Sequence, residues 1–421
     1  MTPGTPAAPL HGGPFRSGPL RYAVAERFAR PRPVAGGGAR PPAGHICPQP
    51  PSRLDAVMGP PLDHRPQGED CLHLSVTTPA RDDGRRPVLV WLHGGGFSSG
   101  AGLMDWYDGT ALATEGDVVV VSVNYRLGAL GYLCLDGVGE DNPGLYDQLE
   151  ALRWVRDNIA SYGGDPGLVT VFGQSAGALS ALTLSRMPEA AGLFRRLVLQ
   201  SAPLEIASRP RAEAAALGRV FADRLAAHAG PSGRADPRTA APADLLAAQR
   251  DTAAVNRERS GSVLEPPFGP VDGAYPPGEE DAHVQGLDIM YGWNADEMTA
   301  FPGGHGGPDR SKELTRTVFA EPLTALGKRL VRAGARVHAY RLDWRPAGSP
   351  YGATHCVELP LLLGTRDAWR RSPMLGSASW DEVDTLGRAV RAVWTAFART
   401  GTPGPAPAPL ECHEVGAPGR P

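Results

Sequence analysis

The pentapeptide Gly173-Gln174-Ser175-Ala176-Gly177 constrains this chain more than any other stretch. It joins a β-like run, Leu168-Val169-Thr170-Val171-Phe172, to a helix-like run, Ala178-Leu179-Ser180-Ala181-Leu182. A serine with glycines two residues to either side, at a strand-to-helix turn, has the form of a nucleophile elbow. The turn is so sharp that the flanking backbones approach too closely for a Cβ. The serine is held in a strained conformation that lifts its hydroxyl above the sheet. The helix that follows aims its first N–H groups at any anion formed there. Such a turn needs a sheet edge where strands end and helices begin, and it points to acyl transfer through a covalent intermediate. In a chain with 53 glycines the motif does not stand alone. A base, an acid and an oxyanion site must come from elsewhere.

The remaining sequence supplies a sheet of that kind. Val88-Leu89-Val90-Trp91-Leu92 and Val118-Val119-Val120-Val121-Ser122-Val123 are short strands, too apolar for an exposed sheet. Residues 147–160 carry Leu149, Leu152, Trp154, Val155 and Ile159 at helical spacing. Further strands are expected at 197–200, 287–291 and 337–342, and a last helix at 380–399. Fully apolar strands separated by helices imply an α/β fold with a mostly parallel central sheet covered by helices on both faces. Residues 19–401 read as one domain. Residues 1–18, rich in Pro and Gly, and 402–421, rich in Pro and Ala, read as flexible tails. The Ala- and Arg-rich segment 204–262, broken at Gly230-Pro231-Ser232-Gly233, reads as helical insertions above the sheet.

A net charge of -3 with no basic run gives no support for a nucleic-acid or anionic-membrane partner. No segment reaches the roughly 18 apolar residues of a membrane span, and the first residues lack the pattern of a signal peptide. Five cysteines, at 47, 71, 134, 356 and 412, show no metal-type spacing and are too few for a disulfide scaffold. The expectation is a cytoplasmic, reducing setting. No metal or organic cofactor is called for, and the sequence is silent on oligomeric state.

Upstream of the elbow, directly after an apolar strand, stands His93-Gly94-Gly95-Gly96-Phe97. Successive glycines let the backbone turn its N–H groups into a cavity, as a tetrahedral oxyanion requires. With these two motifs come Glu69-Asp70-Cys71-Leu72, Asn124-Tyr125-Arg126-Leu127-Gly128, Asn142-Pro143-Gly144-Leu145-Tyr146-Asp147-Gln148, Tyr162-Gly163-Gly164-Asp165-Pro166 and Leu199-Gln200-Ser201. As a set, and in this order, they make the chain resemble the type-B carboxylesterases over residues 19–401. That branch of the α/β-hydrolase superfamily also contains the cholinesterases.

The resemblance implies an α/β-hydrolase fold and a serine carboxylesterase acting on small-molecule esters. Gly292-Trp293-Asn294-Ala295-Asp296-Glu297 is similar to the family's acid motif, and Gly352-Ala353-Thr354-His355 to its histidine loop. Ser175, Glu297 and His355 follow the chain order of that fold, with Asp296 as the rival acid. Among rival bases, His93 belongs to the oxyanion loop, His338 to an expected strand and His305 to a Gly-rich loop. The resemblance places the oxyanion donors at the N–H groups of Gly95, Gly96 and Ala176. It gives Gln174 and Ser201 supporting positions beside the triad, and pairs Arg27 with Glu69 and Arg126 with Asp165 in salt bridges. It also admits carbamate, lactone or thioester hydrolysis. A non-catalytic binding role, known on this fold, is disfavoured because the nucleophile, acid, base and glycine loop are all kept.

The sequence departs from the family in four places. Gln174 stands where many members carry Glu, which suggests neutral rather than cationic esters. No aromatic occupies Leu54-Asp55-Ala56-Val57-Met58, where cholinesterases place a cation-binding Trp. Glu297 and His355 are close in sequence, so the helical insertions over the site are shortened and a more open, less selective site is expected. The N-terminal hairpin usual in the family is missing. Cys47 and Cys71 match a pair bridged in secreted relatives, and thiols are expected here.

Overall fold

A computed structural model describes residues 14–34, 44–62, 64–228, 235–262, 264–274, 281–302 and 307–416. The expected break at Gly230-Pro231-Ser232-Gly233, His305, and the outer parts of both expected tails lie outside the described residues. The strands are β1 (Phe15–Arg16), β2 (Leu20–Arg21), β3 (Ala23–Val24), β4 (Arg32–Pro33), β5 (His73–Thr78), β6 (Arg86–Leu92), β7 (Val119–Val123), β8 (Gly164–Gln174), β9 (Arg196–Gln200), β10 (Asp288–Asn294), β11 (Arg336–Leu342) and β12 (Leu410–Glu414). Among the described residues one sheet runs in the order β1-β5-β7-β6-β8-β9-β10-β11-β12, with β2 also on β5, and β3 and β4 form a separate pair.

From β7 through β11 every neighbour is parallel. These strands are the apolar runs read from sequence, and the side chains from Val88 to Leu92 are fully buried. Burying each such side chain contributes about 1.5–3 kcal/mol. The helices Pro143–Asn158 and Ala176–Leu184 pack on each other and on β8, while Trp380–Thr400 packs on Thr110–Gly116 and on β6 and β8. The last helix starts at Ser379, whose hydroxyl accepts the Glu382 N–H, and stops at Gly401 in the left-handed conformation. Segment 204–262 is largely helical, with Arg211–His228 packed on Pro242–Ser260. No helix among the described residues is long and apolar enough to cross a membrane.

Two expectations need correction. The segments read as flexible tails contribute edge strands: β1 pairs antiparallel with β5, and β12 pairs antiparallel with β11 from Leu342–Leu410 to His338–Glu414. An edge strand of a buried sheet leaves a row of N–H and C=O groups unpaired, and a short extended segment satisfies them. Leu410 anchors β12 by its own burial. The other correction is Arg126, which pairs with Asp147 rather than Asp165. Arg126 Nε and Nη2 donate to the two Asp147 oxygens at 2.8 and 2.7 Å, and its backbone N–H donates to Asp147 as well. Asp147 lies in the opening turns of Pro143–Asn158, against the loop that carries Arg126, whereas Asp165 faces outward and meets Arg85 at 3.0 Å. The Arg27–Glu69 pair forms as expected, with Arg27 Nε 2.6 Å from Glu69.

Candidate active site

The parallel strands deliver the candidate residues to one edge. Leu92 is in register with Gly173, Gln174 with Gln200, and Gln200 with Gly292. The segments that leave the sheet just beyond those positions therefore meet. Ser175 follows β8 with φ 56° and ψ -121°, a strained conformation for a residue with a Cβ. The turn is held by its N–H, which donates to Gln200 O at 2.8 Å, and by its carbonyl, which accepts Leu179 N–H. A Cβ on Gly173 would lie 2.5 Å from the Gly177 carbonyl, and one on Gly177 would collide with Leu92 O. Only glycine fits at either place. Ser175 is half-buried.

The glycine loop follows β6. Gly95 and Gly96 have φ of 114° and 59°, and a Cβ on Gly95 would collide with Ser99 O. Ser98 and Ser99 N–H both donate to Gly95 O at 3.1 Å, which closes the turn. Among the described residues no acceptor takes up the N–H groups of Gly95 or Gly96, or that of Ala176 at the start of its helix. His93 is a prop for this loop. Its ring stacks on Tyr125 at 4.3 Å, Tyr125 Oη donates to His93 O at 2.6 Å, and Nδ1 lies 2.7 Å from Gly94 O. Complete burial pushes its imidazole down to about 4, so it is neutral at physiological pH.

His355 lies in the loop after β11, and Glu297 begins a short 3-10 turn after β10. The structure brings these two together. His355 Nδ1 is 2.5 Å from Glu297 Oε2, and both side chains are at most 1% exposed. The other oxygen of Glu297 accepts Asn294 N–H at 2.7 Å. Asp296 is turned away, paired with Arg345 and accepting Ala353 N–H at 2.9 Å. His338 lies within β11, away from this loop, as expected.

Gln174 Nε2 stands 3.0 Å from His355 Nε2. Among the described residues no hydrogen bond joins Ser175 Oγ to His355. Ser201 follows β9 with φ 51°, and its buried hydroxyl has no hydrogen-bond partner among the described residues, so the supporting bond expected of it to His355 or Glu297 is not formed. Its N–H instead donates to Gly292 O at 2.8 Å and fixes the strand edge.

Sequence reading missed Glu358, buried behind the pair. It accepts Asn294 Nδ2 at 2.6 Å and Gln200 Nε2 at 3.3 Å. Burial first, and then the Glu297 charge, raise its carboxyl above the ordinary range. An acidic residue inside the apolar run Val357 to Leu363 was the available signal. The shortened stretch after Glu297 still covers the base, since Phe301 and Phe319 rest on the His355 ring at 5.2 and 5.6 Å.

A cavity of about 460 Å³ opens beside the elbow, lined by Leu54, Met58, Gly94, Tyr107, Gln174 and Cys356 among others. Trp106 and Tyr107 supply aromatic surface that residues 54–58 lack. No group of three or more His, Cys, Asp or Glu among the described residues is placed to hold a metal ion. Cys47 and Cys71 are free and buried. Hydrogen bonding from Cys47 and burial push the Cys71 thiol well up.

The sequence matches the Carboxylesterase family over residues 20–313. It is 40% identical to a probable N-octanoylanthranilate hydrolase of Rhodococcus erythropolis over 91% of this chain and 88% of that protein. It is 34% identical to the para-nitrobenzyl esterase of Bacillus subtilis over 86% of this chain and 79% of that one. Among solved structures, a thermophilic PNB esterase superposes with a TM-score of 0.80 at 31% identity, covering 96% of this chain and 91% of its own.

Proposed function

The chain belongs to the carboxylesterase family and is a carboxylic ester hydrolase, and from that premise we propose that Ser175, His355 and Glu297 are its catalytic triad. The observation that carries the reading is the fully buried Glu297–His355 contact at 2.5 Å beside an elbow serine at positive φ. Glu297 accepts from Nδ1–H and leaves the Nε2 lone pair of His355 as the base. Ser175 attacks the ester carbonyl as His355 takes its proton, and the proton passes to the leaving alcohol. The N–H groups of Gly95, Gly96 and Ala176 stabilise the oxyanion, each worth a factor of about 100–1000. Water then cleaves the acyl-enzyme by the same steps. Gln174 in place of a carboxylate and an apolar cavity wall favour neutral esters over choline esters.

The test is hydrolysis of short p-nitrophenyl esters. Ser175→Ala is expected to lower kcat by about 10⁵–10⁶-fold while the protein melts normally. Retention of a tenth of the activity would refute the assignment. The relative at 40% identity carries a second reading, since the compound in its name is an N-acyl rather than an O-acyl derivative. The same triad would expel an amine that His355 protonates. Turnover of N-octanoylanthranilate, lost in Ser175→Ala, would support that extension, and its absence alongside ester turnover would confine the enzyme to esters.

A further inference from the structure

The base is engaged by a residue outside the triad. Glu297 on Nδ1 fixes the Nδ1–H tautomer, so Nε2 of His355 presents a single lone pair in the ring plane. Gln174 Nε2 lies on it at 3.0 Å. The orientation of the amide follows from that tautomer. Reversed, the Gln174 oxygen would face a lone pair. As placed, the oxygen lies toward Gly94, where an added Cβ would sit 2.6 Å from it. Gln174 is 2% exposed, and Cys356 follows His355 in the chain. Both residues line the cavity beside the elbow. Ser175 Oγ has no hydrogen bond to the base.

We infer that Gln174 is a positioning residue that latches the neutral base away from Ser175 between turnovers and is displaced when substrate fills the cavity. The inference rests on the proposed roles of Ser175 and His355. An sp² nitrogen with one lone pair serves one good donor at a time, so Gln174 and the Ser175 hydroxyl compete for it. Occupation of the cavity moves the Gln174 side chain, because that side chain is part of its wall, and frees Nε2 for the nucleophile. Unoccupied enzyme is thereby kept less reactive than its triad alone would be. The other titratable groups packed around His355 are Glu297, Glu358 and Cys356, with Tyr107 and Tyr340 behind them, and the rings of Phe301 and Phe319 cover its face.

The test uses a small phosphorylating probe. Diethyl p-nitrophenyl phosphate phosphorylates an active serine and releases one equivalent of p-nitrophenolate. In Gln174→Met, which keeps the volume and removes the donor, phosphorylation is expected to be about 2- to 13-fold faster at pH 7.5. That is the factor equivalent to the net strength of one neutral hydrogen bond. In Gln174→Glu the carboxylate cannot donate to neutral imidazole but accepts from imidazolium. The gain is then kept at alkaline pH and lost in acid, so the acidic limb of the rate profile moves to higher pH. In Gln174→Met the limb also moves to higher pH, because the lost donor had favoured the neutral imidazole, and a side chain that only fills space would leave the limb of that variant in place. Unchanged or slower labelling of Gln174→Met, or a Gln174→Glu profile superimposable on that of the unmodified enzyme, overturns the latch while leaving the triad intact. Failure of the unmodified enzyme and both variants to label at Ser175 overturns the nucleophile assignment and the latch with it.

Discussion

Replacing Glu297 by glutamine tests the acid by forcing a choice of tautomer. The carboxylate serves two buried donors, Asn294 N–H at 2.7 Å and His355 Nδ1–H at 2.5 Å. A glutamine side chain has one acceptor oxygen and one NH₂. With its oxygen on Asn294 N–H, the NH₂ faces His355 Nδ1, which must become the acceptor. The ring proton then sits on Nε2, and the base cannot take the serine proton. The reverse orientation sets NH₂ against the Asn294 N–H and strands a buried donor, at about 1–3 kcal/mol. The competent arrangement is therefore populated at about 1–15%. It also lacks the charge that stabilises imidazolium, an attraction of about 4 kcal/mol at ~4 Å and an effective dielectric of ~20, or about 10³ in rate. Together these give a loss of order 10⁴ in kcat, similar to amidation of the acid in other serine triads. The assay is p-nitrophenyl butyrate hydrolysis above the Ser175→Ala background, with a thermal melt to confirm folding. A folded Glu297→Gln enzyme within about 30-fold of the unmodified enzyme would refute the tautomer argument. A larger loss in Asp296→Asn than in Glu297→Gln would show that the acid had been misassigned.

Two stability predictions follow from buried charge. Asp147→Asn leaves the Arg126 guanidinium, 5% exposed, without its carboxylate and is expected to cost about 3–5 kcal/mol, read from the urea midpoint. A change under about 1 kcal/mol would mean that Arg126 finds another partner. His93 is neutral in the folded protein down to about pH 4, whereas in the unfolded chain it takes up a proton near 6.5. The unfolded state therefore binds more protons in that window. Stability is full above about pH 6.5 and falls by up to about 3 kcal/mol as pH drops to about 4. His93→Asn is expected to flatten the fall in urea midpoint between pH 7 and 4.5, and an equally steep fall in that variant would contradict the burial argument.

What was legible in the sequence is what local chemistry determines. The elbow, the glycine loop and the apolar strands each carry their reason in adjacent residues, and the structure keeps them close to the expected bounds: β9, β10 and β11 each begin or end within three residues of the runs read for them. Partner choice between distant segments was not legible. Asp147 and Asp165 are both acidic residues in family-like motifs, and only the packing of Pro143–Asn158 against the Arg126 loop decides between them. Leu410–Glu414 has few apolar residues and follows a Pro/Ala run. It becomes a strand because β11 offers an unpaired edge. Gln174 could be read as an absent charge, but its contact with His355 depends on a side-chain orientation that only the assembled loops determine. Glu358 escaped notice because burial of a carboxyl is a tertiary property.

The backbone strain of this protein shows why the legible and illegible parts meet at one place. Phe97, Ser175, Ser201 and Cys356 are non-glycine residues at φ of 55°, 56°, 51° and 74°. Each stands just beyond the C-terminal end of a parallel strand or beside His355. Each such conformation costs of order 1–3 kcal/mol and persists only where surrounding structure over-determines it. Here the constraint comes from below: residues 87–92 of β6, 169–174 of β8 and all of β9 are buried, and the register of β6, β8, β9 and β10 aligns their ends. A parallel sheet buried on both faces can carry that cost at its edge because the same strands contribute far more through burial. That strain sets the glycine loop, the Ser175 turn and the His355 loop around one small volume, with Gly94 against Ser175 and Gln174 against His355. Relaxing any one of these turns would gain a little stability and remove a group from that volume, which is why the strained residues and the proposed chemistry coincide.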